Sequence, residues 1–166
     1  MVEAAGMTAV LYSGGIDSAV LVAWEARSRI VWPIYVRAGL AWEAEEAEVA
    51  GRLLQSPVYA ARVLPLQRLD LTVTDLLPAA HWAIRGVPPG YDTPDEDVYL
   101  PGRNLLLLAK ASLACALRGV HRIVIGPLAG NPFPDATPAF FAAMARAATL
   151  GLGHEIAIEA PFAGTT

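Results

Sequence analysis

Ser13-Gly14-Gly15-Ile16-Asp17-Ser18 is the stretch on which the fold turns. The short apolar run Thr8-Ala9-Val10-Leu11-Tyr12 precedes it and has the character of a strand. Ala19-Val20-Leu21-Val22-Ala23-Trp24-Glu25-Ala26-Arg27 follows it and suits a helix. The hexapeptide therefore sits where a strand turns into a helix. Such a turn aims free backbone N–H groups and the positive end of a helix dipole at one spot. Two glycines let the backbone take positive φ and come close to a ligand, and two serines add hydroxyl donors. Together they make a nest for a phosphate or pyrophosphate. The plainer alternative is a Gly-rich turn in which Asp17 or Ser18 merely caps the helix.

Working outward, strands and helices alternate. The pattern predicts strands over 8–12, 31–36, 58–64, 122–126 and 154–159. Helices are predicted over 17–29, 42–55, 105–118 and 139–150. Pro33 inside the second strand hints at an edge or a bulge. Glu43, Glu45, Glu46 and Glu48 load the first turns of the second helix and read as a solvated face in accord with the dipole, with Trp42, Val49 and Leu53 facing the core. The helix over 105–118 is apolar nearly all round, so it is expected to be buried, and Gly119 stops it. Thr137 with Pro138 behind it reads as a helix start. This alternation implies an α/β fold: a parallel sheet of about five strands with helices on both faces, forming one domain over 1–166.

From Pro65 to Pro101 the periodicity loosens, with a helical turn or two predicted over 69–77. Such a stretch is expected to be a functional loop or lid. It carries His81, Trp82, Tyr91, Asp92, Asp95, Glu96, Asp97 and Tyr99, aromatics and acids that suit a planar, amidine-bearing substrate or else a polar surface excursion. Arg103 stands at a predicted helix start, where the dipole disfavours a cation unless an anion meets it. Ligands of parallel sheets bind beyond the carboxyl ends of the strands. The hexapeptide, the 65–101 excursion, the Arg103 segment and the 127–136 loop can all gather there.

Composition narrows the function classes. The chain has 166 residues, a formal net charge of −4 and a single lysine, Lys110. No basic cluster appears, so nucleic-acid binding is not expected. Hydrophobic residues make up 55% of the chain, and the excess makes a homodimer plausible. The run from Leu105 to Leu117 is too short and interrupted to span a bilayer. The start carries an acid and no basic region of a signal peptide, so a cytoplasmic location is expected. The one cysteine, Cys115, permits no intrachain disulfide and lies within an apolar helix, where a core role is expected.

The hexapeptide resembles the pyrophosphate loop of the PP-loop, or N-type, ATP pyrophosphatases. Tyr99-Leu100-Pro101-Gly102-Arg103-Asn104, Ile125-Gly126 and Pro134-Asp135-Ala136-Thr137-Pro138-Ala139-Phe140 narrow the resemblance to the 7-cyano-7-deazaguanine (preQ0) synthase, or ExsB-like, family. That resemblance implies an adenine nucleotide α-hydrolase-like, Rossmann-like fold. It also implies an ATP-dependent carbon–nitrogen ligase that makes preQ0 from 7-carboxy-7-deazaguanine and ammonia, through an acyl phosphate or adenylate, in queuosine biosynthesis. By the same resemblance, Ser13, Gly14, Gly15, Ile16, Asp17 and Ser18 hold the pyrophosphate of ATP. Asp17 places Mg²⁺, Arg103 neutralises phosphate charge or the substrate carboxylate, and Asp135 accepts from the guanine-like edge. Tyr99 and Asn104 fall within the substrate-binding segment.

Three departures accompany the resemblance. The second strand ends in Tyr35-Val36-Arg37-Ala38-Gly39-Leu40, where the family has an aromatic-Gly-Gln-basic sequence. The loop Pro127-Leu128-Ala129-Gly130-Asn131 lacks the family's acids. The family's four-cysteine zinc segment falls after Glu159, and this chain has no such ligands, so Zn²⁺ is expected only if the chain continues beyond Thr166. Other readings stay open at this point: another PP-loop adenylating amidotransferase, a tRNA-modifying enzyme, or an ATP-binding module without catalysis.

Overall fold

A computed structural model describes residues 6–59, 61–87, 89–90, 92–94 and 99–165. Every residue of β1 (Met7–Leu11) is buried, and successive side chains point to the two faces of a sheet covered on both sides. Met7, Ala9 and Leu11 join Trp32, Ile34 and Val36 of β2 (Ile30–Arg37) on one face. There they meet Leu108, Ala111 and Cys115 of α4 (Arg103–Arg118), and Phe141 and Ala148 of α5 (Pro138–Leu152). Val10 and Tyr12 face the other way, against Leu21 and Val22 of α1 (Ile16–Glu25) and Ala50 of α2 (Glu43–Leu53). Each large side chain so buried contributes about 1.5–3 kcal/mol.

The sheet is completed by β3 (Gln67–Asp70), β4 (Arg122–Val124) and β5 (Ala157–Glu159). All neighbours pair in parallel, in the order β3-β2-β1-β4-β5. The strand order reverses between β1 and β4, which opens a crevice at their carboxyl ends. The α/β expectation, with helices on both faces, holds.

Several local expectations do not. The third strand is not at 58–64. Pro57–Tyr59 is a 3₁₀ turn with Val58 72% exposed, and only Val63 bridges to Val31. Leu64 N donates to Val31 O, Pro65 then has no N–H to offer, and the chain re-enters the ladder at Gln67 opposite Ile34. Tyr59 and Val63 of that stretch pack on the α1 side of the sheet instead, where the Tyr59 hydroxyl donates to Ala19 O at 3.2 Å. The helical turns expected over 69–77 give way to β3 and its continuation, with Leu71 N and Val73 N donating to Arg37 O and Ala38 O.

Pro33 lies in an internal strand, not at an edge. Val31 makes both its backbone bonds toward the β3 side and Ile34 O accepts from Tyr12 N on the β1 side. By this alternation the missing donor of Pro33 falls on the β3 side, between the Val63 bridge and Gln67, where the ladder is already interrupted.

In α2 the buried positions are Glu43, Ala47 and Ala50, whereas Val49 and Leu53 are 40% and 41% exposed. Small side chains let this helix lie close to the turn after β1. The helix α4 is not buried all round: Leu108, Ala111 and Cys115 face the core, while Leu105, Leu113 and Leu117 lie open to solvent. Burial of the Cys115 thiol pushes its pKa up to about 12, which suits a core residue rather than a nucleophile. The short helix α3 (Trp82–Arg85) gives the excursion some order. His81 accepts from Ala83 N at 3.2 Å and ends the preceding loop. No helix among the described residues is long and apolar enough to cross a membrane.

Candidate active site

The crevice at the β1/β4 switch is a cleft of about 260 Å³. Ser13, Gly15, Asp17 and Ser18 line it from the turn after β1. Arg103 and Asn104 face them from the first turn of α4, and Gly126, Pro127 and Asn131 close it behind β4. Most of the residues singled out by sequence thus converge on one space. Gly14, Ile16, Tyr99 and Asp135 do not line it.

The turn is held open by its own serines. Ser18 Oγ donates to Gly15 O at 2.9 Å and accepts from Ser13 N at 3.3 Å, and Ser13 Oγ accepts from Gly15 N at 3.3 Å. Gly15 is the N-cap of α1, and no side chain caps the helix. The plainer reading of Asp17 or Ser18 as a cap is therefore corrected: the first N–H groups of α1 keep their capacity for an anion. Gly14 has φ +84°, and a Cβ there would sit 2.9 Å from Ala50 Cβ. Only glycine lets this turn lie against α2. Gly14 shapes the turn from behind. Ile16, 82% exposed, is the first residue of α1.

Behind the turn, acids of α2 do more than face solvent, contrary to expectation. Glu43 is 4% exposed, and its carboxylate accepts from Ala38 N at 2.8 Å, Gly39 N at 2.8 Å and Leu40 N at 3.0 Å. It fixes the chain where it leaves β2. Glu46 lines the cleft and accepts from the Tyr35 hydroxyl at 2.6 Å. Burial, reinforced by that bond and the nearby acids, raises the Tyr35 pKa, while the Arg103 guanidinium pulls it the other way. Tyr35 therefore stays a neutral donor that orients Glu46. Burial, with help from Tyr59, likewise raises Tyr12 to about 12.

Arg103 follows Gly102, which takes φ +70° as the N-cap of α4. Gly102 brings no side chain to cap the helix start, and a guanidinium stands where the dipole is positive. Among the described residues no carboxylate pairs with it. Two bonds hold the neighbouring residue: Asn104 N donates to Asp135 Oδ2 at 2.8 Å, and Asn104 Nδ2 donates to Asp135 O at 3.0 Å. Asp135, 7% exposed, thus spends one carboxylate oxygen on α4. Tyr99 stacks on Phe133 with ring centroids 4.8 Å apart, tying the end of the excursion to the loop after β4.

Sequence reasoning missed Tyr35, Glu46 and Asn131 as cleft residues. The available signal for Glu46 was its place, i+3 from Glu43, on the helix that follows the second strand. Tyr91, Asp95, Glu96 and Asp97 lie outside the described residues.

Fold and site together define a parallel α/β protein whose switch-point crevice is floored by a Ser-Gly-Gly-Ile-Asp-Ser turn. The family model described as "Queuosine biosynthesis protein QueC" matches residues 7–166. The chain belongs to this family of queuosine biosynthesis proteins. It is similar to 7-cyano-7-deazaguanine synthase of Paracidovorax citrulli, with 30% identity over 168 residues that cover 95% of this chain and 70% of that protein. It is also similar to 7-cyano-7-deazaguanine synthase 1 of Desulfitobacterium hafniense, with 28% identity over 163 residues covering 93% and 70%. Among solved structures, a predicted subunit of tRNA methyltransferase from Methanocaldococcus jannaschii superposes with a TM-score of 0.59 at 14% identity, covering 96% of this chain and 69% of that one. At that identity the likeness is one of fold.

Proposed function

We propose that the chain carries the ATP-dependent step that converts 7-carboxy-7-deazaguanine and ammonia to 7-cyano-7-deazaguanine. The observation that supports it best is the opposition of two features across one cleft. The uncapped start of α1 with Ser13 and Ser18 faces Arg103, which has no carboxylate partner among the described residues. A pyrophosphate fits the first and the developing charge on phosphorus or the acid fits the second.

The chemistry balances as follows. A carboxylate oxygen of the acid attacks the α-phosphorus of ATP and displaces pyrophosphate, giving an acyl adenylate. Ammonia adds at the acyl carbon, AMP leaves, and a proton is lost to give the amide. The amide oxygen attacks a second ATP, again displacing pyrophosphate. Loss of AMP and of both N–H protons then leaves the nitrile. The residues of the chain act by position and charge: the turn binds the departing pyrophosphate, and Arg103 holds the carboxylate in line. Tyr35 keeps the Glu46 carboxylate on the cleft wall.

Asp17 is exposed on the cleft and fits a hard cation such as Mg²⁺, which takes one carboxylate and completes its shell with water and phosphate oxygens. Among the described residues no group of three acids, histidines or cysteines is assembled to hold a metal alone. Bound with the nucleotide, Mg²⁺ would supply charge neutralisation on the phosphates.

The test is mass-spectrometric turnover with ATP, Mg²⁺, ammonium and 7-carboxy-7-deazaguanine, together with a nucleotide assay. The expected result is a nitrile product with AMP and pyrophosphate, lost in Ser18→Ala and Arg103→Ala. Neither product nor acid-dependent ATP consumption in the parent chain would overturn the proposal.

A further inference from the structure

Glu46 brings a second carboxylate to the cleft, from α2. It stands one helical turn before Ala50, on the face of α2 that packs against Gly14 of the phosphate-binding turn. Its Oε2 accepts from the Tyr35 hydroxyl at 2.6 Å, the length of a strong bond to a charged oxygen. Tyr35 is itself fixed, because the same hydroxyl reaches Glu43 O at 3.3 Å. Arg103 is near enough for its charge to act on Tyr35. Yet among the described residues neither Arg103 nor Glu46 forms an ion pair. The cleft thus holds a guanidinium and a carboxylate that do not neutralise each other. The first is left to meet an anion. The second is out of place in an anion-binding cleft unless a group that is positive, or becomes so, arrives beside it.

We propose that Glu46 is the catalytic base of the amidation: it receives the attacking nitrogen and takes the proton that nitrogen must lose. The inference rests on reading this cleft as the site of the ligase reaction. In the step concerned, the lone pair of ammonia forms the C–N bond to the acyl carbon, and the carbonyl π pair moves to oxygen. The nitrogen of the adduct is positively charged, and Glu46 takes one of its protons. The oxygen pair then re-forms the carbonyl, the bond to AMP breaks, and AMP leaves with that electron pair. The carboxyl group of Glu46 returns its proton to water before the next turnover.

The other titratable groups that line the cleft do not fit this task. Tyr12 is pushed up to about 12 and Tyr35 is raised as well, so both keep their protons and neither serves as a base. Arg103 does not give up its charge. Asp17 lies in the first turn of α1 with the phosphate-binding groups, where it suits Mg²⁺. Glu46 remains, on a part of the wall built by α2 and β2. Tyr35 is its positioning residue: by holding Oε2 it fixes the plane and direction of the carboxylate.

The test separates the two half-reactions. Acid-dependent exchange of pyrophosphate into ATP, measured without ammonium, reports adenylate formation, in which Glu46 has no part. Glu46→Gln should keep that exchange, with KM for ATP within about twofold, and lose amide formation from ammonium by roughly 100-fold or more. Hydroxylamine is largely unprotonated at neutral pH and a stronger nucleophile, so it depends less on a base. Its hydroxamate should form in the variant with a loss of no more than about tenfold. Tyr35→Phe leaves the carboxylate in place but unoriented, and should lose about tenfold in amide formation with the exchange unchanged. Thermal unfolding confirms that both variants are folded. Equal losses with the two nucleophiles, a weakened exchange, or undiminished amide formation in Glu46→Gln would overturn the role, the second of these making Glu46 a nucleotide-binding group instead. Absence of exchange in the parent chain would overturn the reaction itself, and the role with it.

Discussion

Asp135 and Asn104, far apart in the chain, hold each other by two hydrogen bonds, one from the Asn104 backbone and one from its side chain. The bonds run between the 3₁₀ turn at Pro134–Ala136 and the first turn of α4. They therefore set where Arg103, the preceding residue, begins its reach into the cleft.

Removing the pair should cost position as well as stability. Asp135→Ala leaves the part-buried Asn104 N–H without its acceptor, at a cost of about 1–3 kcal/mol. Asp135→Asn keeps an acceptor and should lose less. Urea unfolding measures the first effect. A larger fall in kcat than in nucleotide affinity, compared between the two variants, measures the second.

Gly14→Ala combines a disfavoured backbone and a steric conflict. The residue has φ +84°, and the new Cβ would meet Ala50 Cβ at 2.9 Å. The expected loss is about 1–3 kcal/mol, with weakened ADP binding in titration calorimetry. Adding Ala50→Gly relieves the contact but not the φ, so only part of the loss should return.

Glu43→Ala strips three N–H groups of the turn 38–40 of their common acceptor. A fall of roughly 2–4 kcal/mol is expected, since bonds to a charged acceptor are strong and their unpaired donors costly. Glu43→Gln keeps one acceptor oxygen and should fall between the two. Denaturant midpoints at constant m-value check the order.

At the opposite end of the sheet Arg122 bonds Glu25 at 2.6 Å and Glu159 at 2.7 Å. Burial alone would lower the Arg122 pKa, but the bonds to Glu159 and Glu25 raise it on balance. The Arg122 bond holds Glu159 below its ordinary 4.5, against the opposing effect of burial. A carboxylate depressed in the folded state stabilises above its unfolded pKa and loses that stabilisation as pH falls through the folded value. The stability gap between the parent and Glu159→Gln should therefore be full at neutral pH and close progressively below pH 4.5. Arg122→Ala strands Glu25, which is 5% exposed, and should cost about 3–5 kcal/mol.

The elements that carried clear local chemistry were legible in sequence. Two glycines between a strand and a helix placed the turn, Thr137 with Pro138 placed the start of α5, and Gly119 placed the end of α4. What depended on pairing was not. Val58 to Leu64 has strand composition, yet Pro65 interrupts the ladder and register is decided by β2. Glu43 and Glu45 read alike as helix acids, and only the closeness of the β2 exit makes the first a buried acceptor. The apolar α4 looked buried because its residue types do not reveal that Leu105, Leu113 and Leu117 lie open to solvent. Arg103 was legible because a cation at a helix start is locally unfavourable, and a local conflict of that kind commonly marks a site.

The place of Pro33 has a mechanical meaning. Its missing donor leaves the outer chain joined to β2 at the Val31–Val63 bridge and again from Gln67, with the ladder interrupted between Leu64 and that point. The segment from Leu71 to Leu77 continues from this short pairing and forms one wall of an apolar cavity of about 250 Å³ beside the cleft. Widening that cavity on this side means parting the Gln67–Asp70 pairing, while the pairing of β1 with β2 and β4 stays closed. Amides of the outer strand should accordingly exchange with solvent well before those of β1, and a molecule that wedges between the walls should slow them.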